Sequence, residues 1–243
     1  MCRMLIAVGK VNLSWLIDDF IIMANDENEK HENNEDQSFK HDHGWGIVYL
    51  KDGEMNVYKS TKPCYEDEEI NSFRKLISPL YILHARKGSE GRGGVEMVNV
   101  HPFQYENYVF CHNGTVYEEL SYDERFTPQG ETDSEMFFYY LMSGITNRID
   151  EQIIYHKSSR IKDFSGLNSI LSDGENSFII NWYKKNPRYY TLKILATEES
   201  VIISSEILPH FKNDNWREMK NGEICKLNTL TRKYNVRSSS FSL

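Results

Sequence analysis

A cysteine stands directly after the first methionine in Met1-Cys2-Arg3-Met4-Leu5-Ile6-Ala7-Val8-Gly9. Removal of Met1 would leave a thiol and a free α-amine on one residue, a nucleophile with a base attached. Thiolate is the reactive form of cysteine, and an α-amine of pKa about 8 can take the thiol proton near neutral pH. Read alone, Cys2 is more readily a small residue that permits methionine removal. The rest of the chain has to supply whatever else a reaction would need.

The elements that must position Cys2 begin with a strand over the apolar residues 4–8. Residues 11–23 carry apolar side chains at three- and four-residue spacings with Asp18 and Asp19 opposite, which predicts an amphipathic helix. Asn, Asp, Glu, Lys and His dominate 25–43 and predict an exposed loop, long enough to serve as a lid. Two strand-like runs flank Asp52-Gly53 and predict a β-hairpin. A short helix over 70–77, stopped by Pro79, and a strand over 80–86 follow. Residues 87–94 are glycine-rich but lack the Gly-Lys-Ser/Thr ending of a phosphate cradle. A strand over 108–112 is expected to stop at Asn113-Gly114, a dipeptide that readily takes positive φ. Thr132 and Glu135 form a capping box before a buried helix over 136–142, and a more polar helix falls within 148–162. The last third predicts strands over 167–171, 177–183, 189–195, 201–204 and 224–227. Strands, two helices and strands again imply an α+β fold, one domain over 2–243, with helices outside stacked, largely antiparallel sheets.

Composition narrows the function. The 243 residues are 40% hydrophobic and 26% charged, ordinary for a globular chain. A net charge of -8 without any Lys/Arg cluster argues against nucleic acid or an anionic membrane as partner. Cys2, Cys64, Cys111 and Cys225 are far apart, so neither a disulfide framework nor a zinc ribbon is indicated and a reducing, cytoplasmic setting is expected. No apolar run is long enough for a signal peptide or a membrane span. His41, His43, His84, His101 and His112 follow no zinc spacing and are read as packed or hydrogen-bonded residues; a metal-binding role for 31–43 has little support.

Several separated pieces together resemble the class II glutamine amidotransferases, of the N-terminal-nucleophile hydrolases. They are Cys2 after Met1, His43-Gly44-Trp45-Gly46, His84-Ala85-Arg86 with Ser89, Asn99-Val100-His101-Pro102-Phe103, Phe110-Cys111-His112-Asn113-Gly114 and Thr132-Asp133-Ser134-Glu135. Ser204-Ser205-Glu206 followed by Trp216 is similar to the family's closing segment. The resemblance implies a four-layer αββα sandwich that cleaves the side-chain amide of glutamine to glutamate and ammonia, with no cofactor and no metal. It implies Cys2 as nucleophile with its α-amine as base, and Asn113 and Gly114 as oxyanion donors. It further implies that Arg86 holds the substrate α-carboxylate, that Ser89 adds a hydroxyl, that Asp133 accepts the α-ammonium, and that His101 belongs to the substrate site. Each has a plainer reading: Asn113-Gly114 as a hairpin turn, Arg86 as a surface ion pair, Asp133 as a helix-dipole partner. One departure stands out, since the family usually carries Asp where this chain has His43.

No synthase domain follows before Leu243. The resemblance is therefore to the stand-alone branch, expected to act as a glutaminase, to pass ammonia to a separate protein, or to hydrolyse another γ-glutamyl compound. The competing expectation is a non-catalytic subunit of the same fold that binds a γ-glutamyl ligand or a partner.

Overall fold

The first strand, β1 (Cys2–Gly9), is buried along its first seven residues, so both of its faces need a covering layer. The computed structural model, which describes residues 2–88, 94–145 and 148–238, supplies one on each side. β1 lies in a sheet with β2 (Trp45–Lys51), β3 (Glu54–Ser60), β4 (Leu80–Arg86), β9 (Lys193–Ala196), β10 (Ser200–Ser204) and β11 (Trp216–Glu218). The order is β11-β9-β10-β1-β4-β2-β3. A second sheet holds β5 (Phe103–Tyr105), β6 (Tyr108–Val116), β7 (Phe164–Ser172), β8 (Asn176–Asn181), β12 (Glu223–Asn228) and β13 (Tyr234–Arg237), in the order β13-β12-β8-β7-β6-β5. Every pairing between these strands is antiparallel.

Side chains alternate across a strand, and here each parity meets a different layer. Met4, Ile6 and Val8 of β1 meet Val109 and Cys111 of β6 and Ile170 of β7 between the sheets. Leu5 and Ala7 point the other way, onto Leu16, Ile17 and Phe20 of α1 (Leu13–Ala24). Beyond the second sheet, Phe110 and Leu171 pack against Phe137, Phe138 and Leu141 of α2 (Asp133–Met142) and Ile154 of α3 (Glu151–Arg160). The result is the expected α+β sandwich in four layers, helix, sheet, sheet and helix. Burying one such aromatic or aliphatic side chain contributes about 1.5–3 kcal/mol. Both helices start where side-chain caps begin them: Asn12 accepts from the Ser14 N–H at 3.0 Å and Thr132 from the Glu135 N–H at 3.3 Å.

Four local expectations are corrected. β6 does not stop at Asn113-Gly114 but runs on to Val116, because Asn113 and Gly114 stay paired with Asn168 and Leu167 of β7. The run 189–195 begins as a helical turn, α4 (Pro187–Tyr190), since Pro187 presets the first helical φ; the strand starts only at Lys193. The short helix expected over 70–77 is a 3-10 turn over Glu68–Phe73, capped by Asp67. Residues 25–43 form a loop that is exposed only in part: 35–38 face solvent, while His31, Asn34 and His41 are buried. The segment's polar groups satisfy one another there, Asn34 Nδ2 reaching Asp26 at 2.6 Å and the His41 N–H reaching the Ala24 carbonyl at 2.9 Å. Among the described residues no helix is long and apolar enough to cross a membrane.

One charge is sealed inside. Arg3, 1% exposed, meets the Glu206 carboxylate at 2.5 Å and donates to the Tyr189 carbonyl at 3.0 Å, its guanidinium 4.2 Å from the Tyr189 ring. Burial pushes the Glu206 carboxyl up, and the Arg3 charge opposes that. Removing one partner of such a pair strands the other. We expect Glu206→Ala to cost about 3–5 kcal/mol in urea unfolding, and Arg3→Leu in the Glu206→Ala background to restore much of it. A Glu206→Ala chain as stable as the parent would show the pair to be dispensable.

Candidate active site

Parity also gathers the site. Cys2 shares its face of β1 with Met4, Asn113 shares its face of β6 with Cys111, and His84 and Arg86 share theirs on β4 with Leu80 and Ile82. All these faces line the space between the sheets, so four polar side chains from three strands converge at one end of an otherwise apolar layer. Arg86 lies directly opposite Cys2 in the β1–β4 register.

The Cys2 backbone N–H donates to Asn113 Oδ1 at 2.7 Å. That contact orients the carboxamide and leaves Asn113 Nδ2 buried with no partner among the described residues. An amide with its acceptor used and its donors unused keeps N–H groups available to an incoming oxygen. Gly114 follows at a point of close approach, since a Cβ there would lie 1.9 Å from the Gly166 carbonyl oxygen. The strand bulges between Gly114 and Val116, and the Val116 N–H donates to Asp133 Oδ2 at 2.8 Å. Asp133 opens α2 just after its Thr132 cap, where the helix dipole favours a carboxylate. One oxygen of Asp133 thus ties helix to bulge while the group stays only partly buried.

Burial alone would push the Cys2 thiol up. Positive charge on His84 and at the N-terminus, with polar contacts from the His84 ring and the Lys87 backbone, outweighs it and brings the thiol down to about 6. At Cys64 and Cys111 burial outweighs the lowering influence of backbone hydrogen bonds on the first and of Lys59 on the second and pushes both well up, while Cys225 is pushed up to about 12. His84 Nε2 lies 3.2 Å from the His112 carbonyl. His112 is itself engaged on both sides, Nδ1 with Ser134 Oγ at 2.8 Å and Nε2 with the Gly166 carbonyl at 3.0 Å. The His101 ring packs against His84 with centroids 4.1 Å apart and planes tilted by 31°, is 2% exposed, and is held neutral by its burial.

Arg86 is buried and donates to the Gly94 carbonyl at 3.2 Å. Its backbone is pinned by the Gly44 carbonyl at 2.8 Å and by the His43 N–H at 2.9 Å. The His43 ring then accepts the Gly88 N–H on Nδ1 at 2.8 Å, a role an Asp carboxylate could fill equally. That accounts physically for histidine at this position. Burial lowers the His43 pKa against the raising influence of Asp42, which favours the neutral, accepting ring. Ser89 lies outside the described residues. The structure therefore brings Cys2, Arg86, His101, Asn113, Gly114 and Asp133 into one neighbourhood.

Two contributors were not evident as such in the sequence. His84 was visible only as part of His84-Ala85-Arg86, without its place beside the thiol. Tyr189 donates its hydroxyl to the Cys2 carbonyl at 2.9 Å and meets His41 Nε2 at 3.2 Å, which links the 25–43 segment to the nucleophile's backbone. Only an arginine inside an apolar strand, at Arg3, hinted that buried polar partners were needed here. Among the described residues, no three His, Cys, Asp or Glu groups converge as a metal site requires.

A thiol held at about 6 is mostly thiolate at neutral pH. Alkylation of Cys2 by iodoacetamide in the folded protein should rise with pH through about 6, and Cys64, Cys111 and Cys225 should stay unlabelled. His84→Ala removes a lowering influence, so its labelling midpoint should move to higher pH; an unmoved midpoint would remove His84 from the account.

Comparison with known proteins adds a family to this geometry. Residues 30–184 match the family model for class II glutamine amidotransferases. An uncharacterised protein of Methanocaldococcus jannaschii is 32% identical over 233 residues, covering 77% of this chain and 62% of that one. The chain thus spans about three fifths of that relative's length. An Escherichia coli protein provisionally named glutamine amidotransferase YafJ is 25% identical over 220 residues, covering 75% of this chain and 84% of its own length. Among solved structures, a glutamine aminotransferase class-II domain protein of Silicibacter pomeroyi superposes with a TM-score of 0.63 at 15% identity, covering 98% and 99% of the two chains. The glutamine phosphoribosylpyrophosphate amidotransferase of B. subtilis gives 0.67 at 15% identity, covering all of this chain and 50% of its own. At such identities the solved structures speak for the fold alone.

Proposed function

This chain belongs to the class II glutamine amidotransferases, and from that premise we propose that it hydrolyses the γ-amide of glutamine, or of a related γ-glutamyl compound, through a thioester on Cys2. The observation that carries the proposal is the Asn113 carboxamide, fixed to the Cys2 nitrogen by its oxygen with its Nδ2 left without a partner among the described residues.

With Met1 removed, the Cys2 nitrogen is an amine rather than a peptide N–H and can act as base. Sγ attacks the amide carbon, and the carbonyl electron pair moves onto oxygen, where Asn113 Nδ2 and the Gly114 N–H receive it. Collapse breaks the C–N bond. The α-ammonium that took the thiol proton returns it to the departing nitrogen, so ammonia leaves and a γ-glutamyl thioester remains. Water then attacks, the amine takes its proton, and glutamate departs as the thiol is restored.

Arg86 would grip the α-carboxylate with two parallel hydrogen bonds, Ser89 would add a hydroxyl, and Asp133 would accept the α-ammonium. His101 would support this site through His84, against which it packs. Arg86 and Asp133 read only the amino-acid end, which all γ-glutamyl compounds share; the leaving group is selected elsewhere. Released ammonia would be available to a separate acceptor protein.

Purified protein incubated with glutamine and a panel of γ-glutamyl compounds should release glutamate, and intact mass should show a chain lacking Met1. Cys2→Ala should abolish release while Cys111→Ala retains it. Asn113→Ala should lower kcat about 100- to 1,000-fold, the worth of one oxyanion donor. Asp133→Asn should act mainly on KM. Silence across the panel in a chain without Met1 would favour the ligand-binding reading over hydrolysis.

A further inference from the structure

At the far end of β1 from Cys2, a stretch of about 23 Å at the usual rise per residue, the chain forms a second concavity. Its volume is about 650 Å³, within the range of small-molecule sites. No Asp or Glu lines it, although the chain as a whole carries a net charge of -8. Four cations do line it: Lys10, Arg74, Lys75 and Arg232. Lys10 is paired with Glu199 at 3.1 Å and Arg74 with Asp18 at 2.7 Å. Lys75 and Arg232 have no ion pair among the described residues, and the stem of Arg232 lies across the end of β1, its Cδ 2.7 Å from where a Gly9 side chain would begin.

Two further features border the same space. The N-terminus of the twelve-residue α1 enters it at Asn12 and Leu13, where a helix end favours negative charge. Thr229 is 1% exposed, lines the cavity, and has its Oγ1 buried without a hydrogen-bond partner among the described residues. A buried hydroxyl left unpaired is unfavourable unless something fills the role. Apart from Ser78, the remaining lining is apolar, with Leu76 and Tyr81 inside and Ile77 and Leu230, 91% and 71% exposed, at the mouth.

We infer that this cavity is a binding site for a small organic anion with an apolar body, its anionic head between Lys75, Arg232 and the Thr229 hydroxyl and its body against Leu76, Ile77 and Leu230. Neither head nor body alone would use both halves of the lining. The site is separate from the one that holds Cys2, so its occupation can be tested apart from hydrolysis.

Phenyl phosphate serves as the probe, with inorganic phosphate as the head alone and phenol as the body alone. Calorimetric titration should give saturable binding of phenyl phosphate, with both controls about tenfold weaker or more, since each control lacks the contacts of one half of the lining. Lys75→Ala with Arg232→Ala, both exposed positions, should weaken phenyl phosphate about tenfold, discounted for their solvent exposure, without altering glutamate release. Thr229→Val, which keeps the shape and deletes the hydroxyl, should weaken it while the protein stays folded by its melting curve. No saturable binding, phenol binding as tightly as phenyl phosphate, or a double variant that binds as the parent does would each overturn the inference.

Discussion

The hydrogen bond from the Cys2 nitrogen to Asn113 Oδ1 is where the two sheets meet as a site, and most of the surrounding architecture serves to make it. Its partners are 111 residues apart in sequence and lie in different sheets. They face each other because Cys2 has the parity of Met4 and Asn113 that of Cys111, and both parities point into the inter-sheet layer. A one-residue slip in either strand would turn one of them onto a helix-covered face. The apolar core between the sheets thus enforces the register on which the polar end depends.

That polar end is held from behind by groups that never need to touch a substrate. Tyr189 and His41 fix the Cys2 carbonyl, and Arg3 with Glu206 anchors the same strand one residue on. On the opposing sheet, His112 bridges Ser134 and Gly166, beside the close approach that only glycine permits at Gly114. Burial raises the cost of charge throughout this region, which keeps His41 and His101 neutral. Cys2 escapes that trend because positive charge is brought beside it, and so it differs from the three other cysteines of the chain.

Local pattern carried much of the fold. The three-to-four spacing of 11–23, the Asp52-Gly53 turn and the Thr132 cap each act through neighbours in sequence, and each appears as α1, the β2–β3 hairpin and the start of α2. Where a segment's conformation depends on distant partners, the same reasoning missed. Asn113-Gly114 has turn chemistry but is paired into β6, and the polar 25–43 stretch buries His31, Asn34 and His41 because Tyr189 and its own side chains help to satisfy them. β5, β11 and β13 are three or four residues long, too short for any period to register.

For the site, sequence alone determined the inventory: a cysteine beside the chain start, an arginine ending a strand, an amide followed by glycine, and a carboxylate opening a helix. It determined these because residue type and short-range order are what a sequence contains. Tertiary structure alone decided that Asn113 turns its oxygen to the Cys2 nitrogen, that His84 stands beside the thiol, and that Asp133 binds the bulge at Val116. Those facts depend on strand register and layer stacking across more than a hundred residues, which arise only once the cores on both sides of β1 are packed.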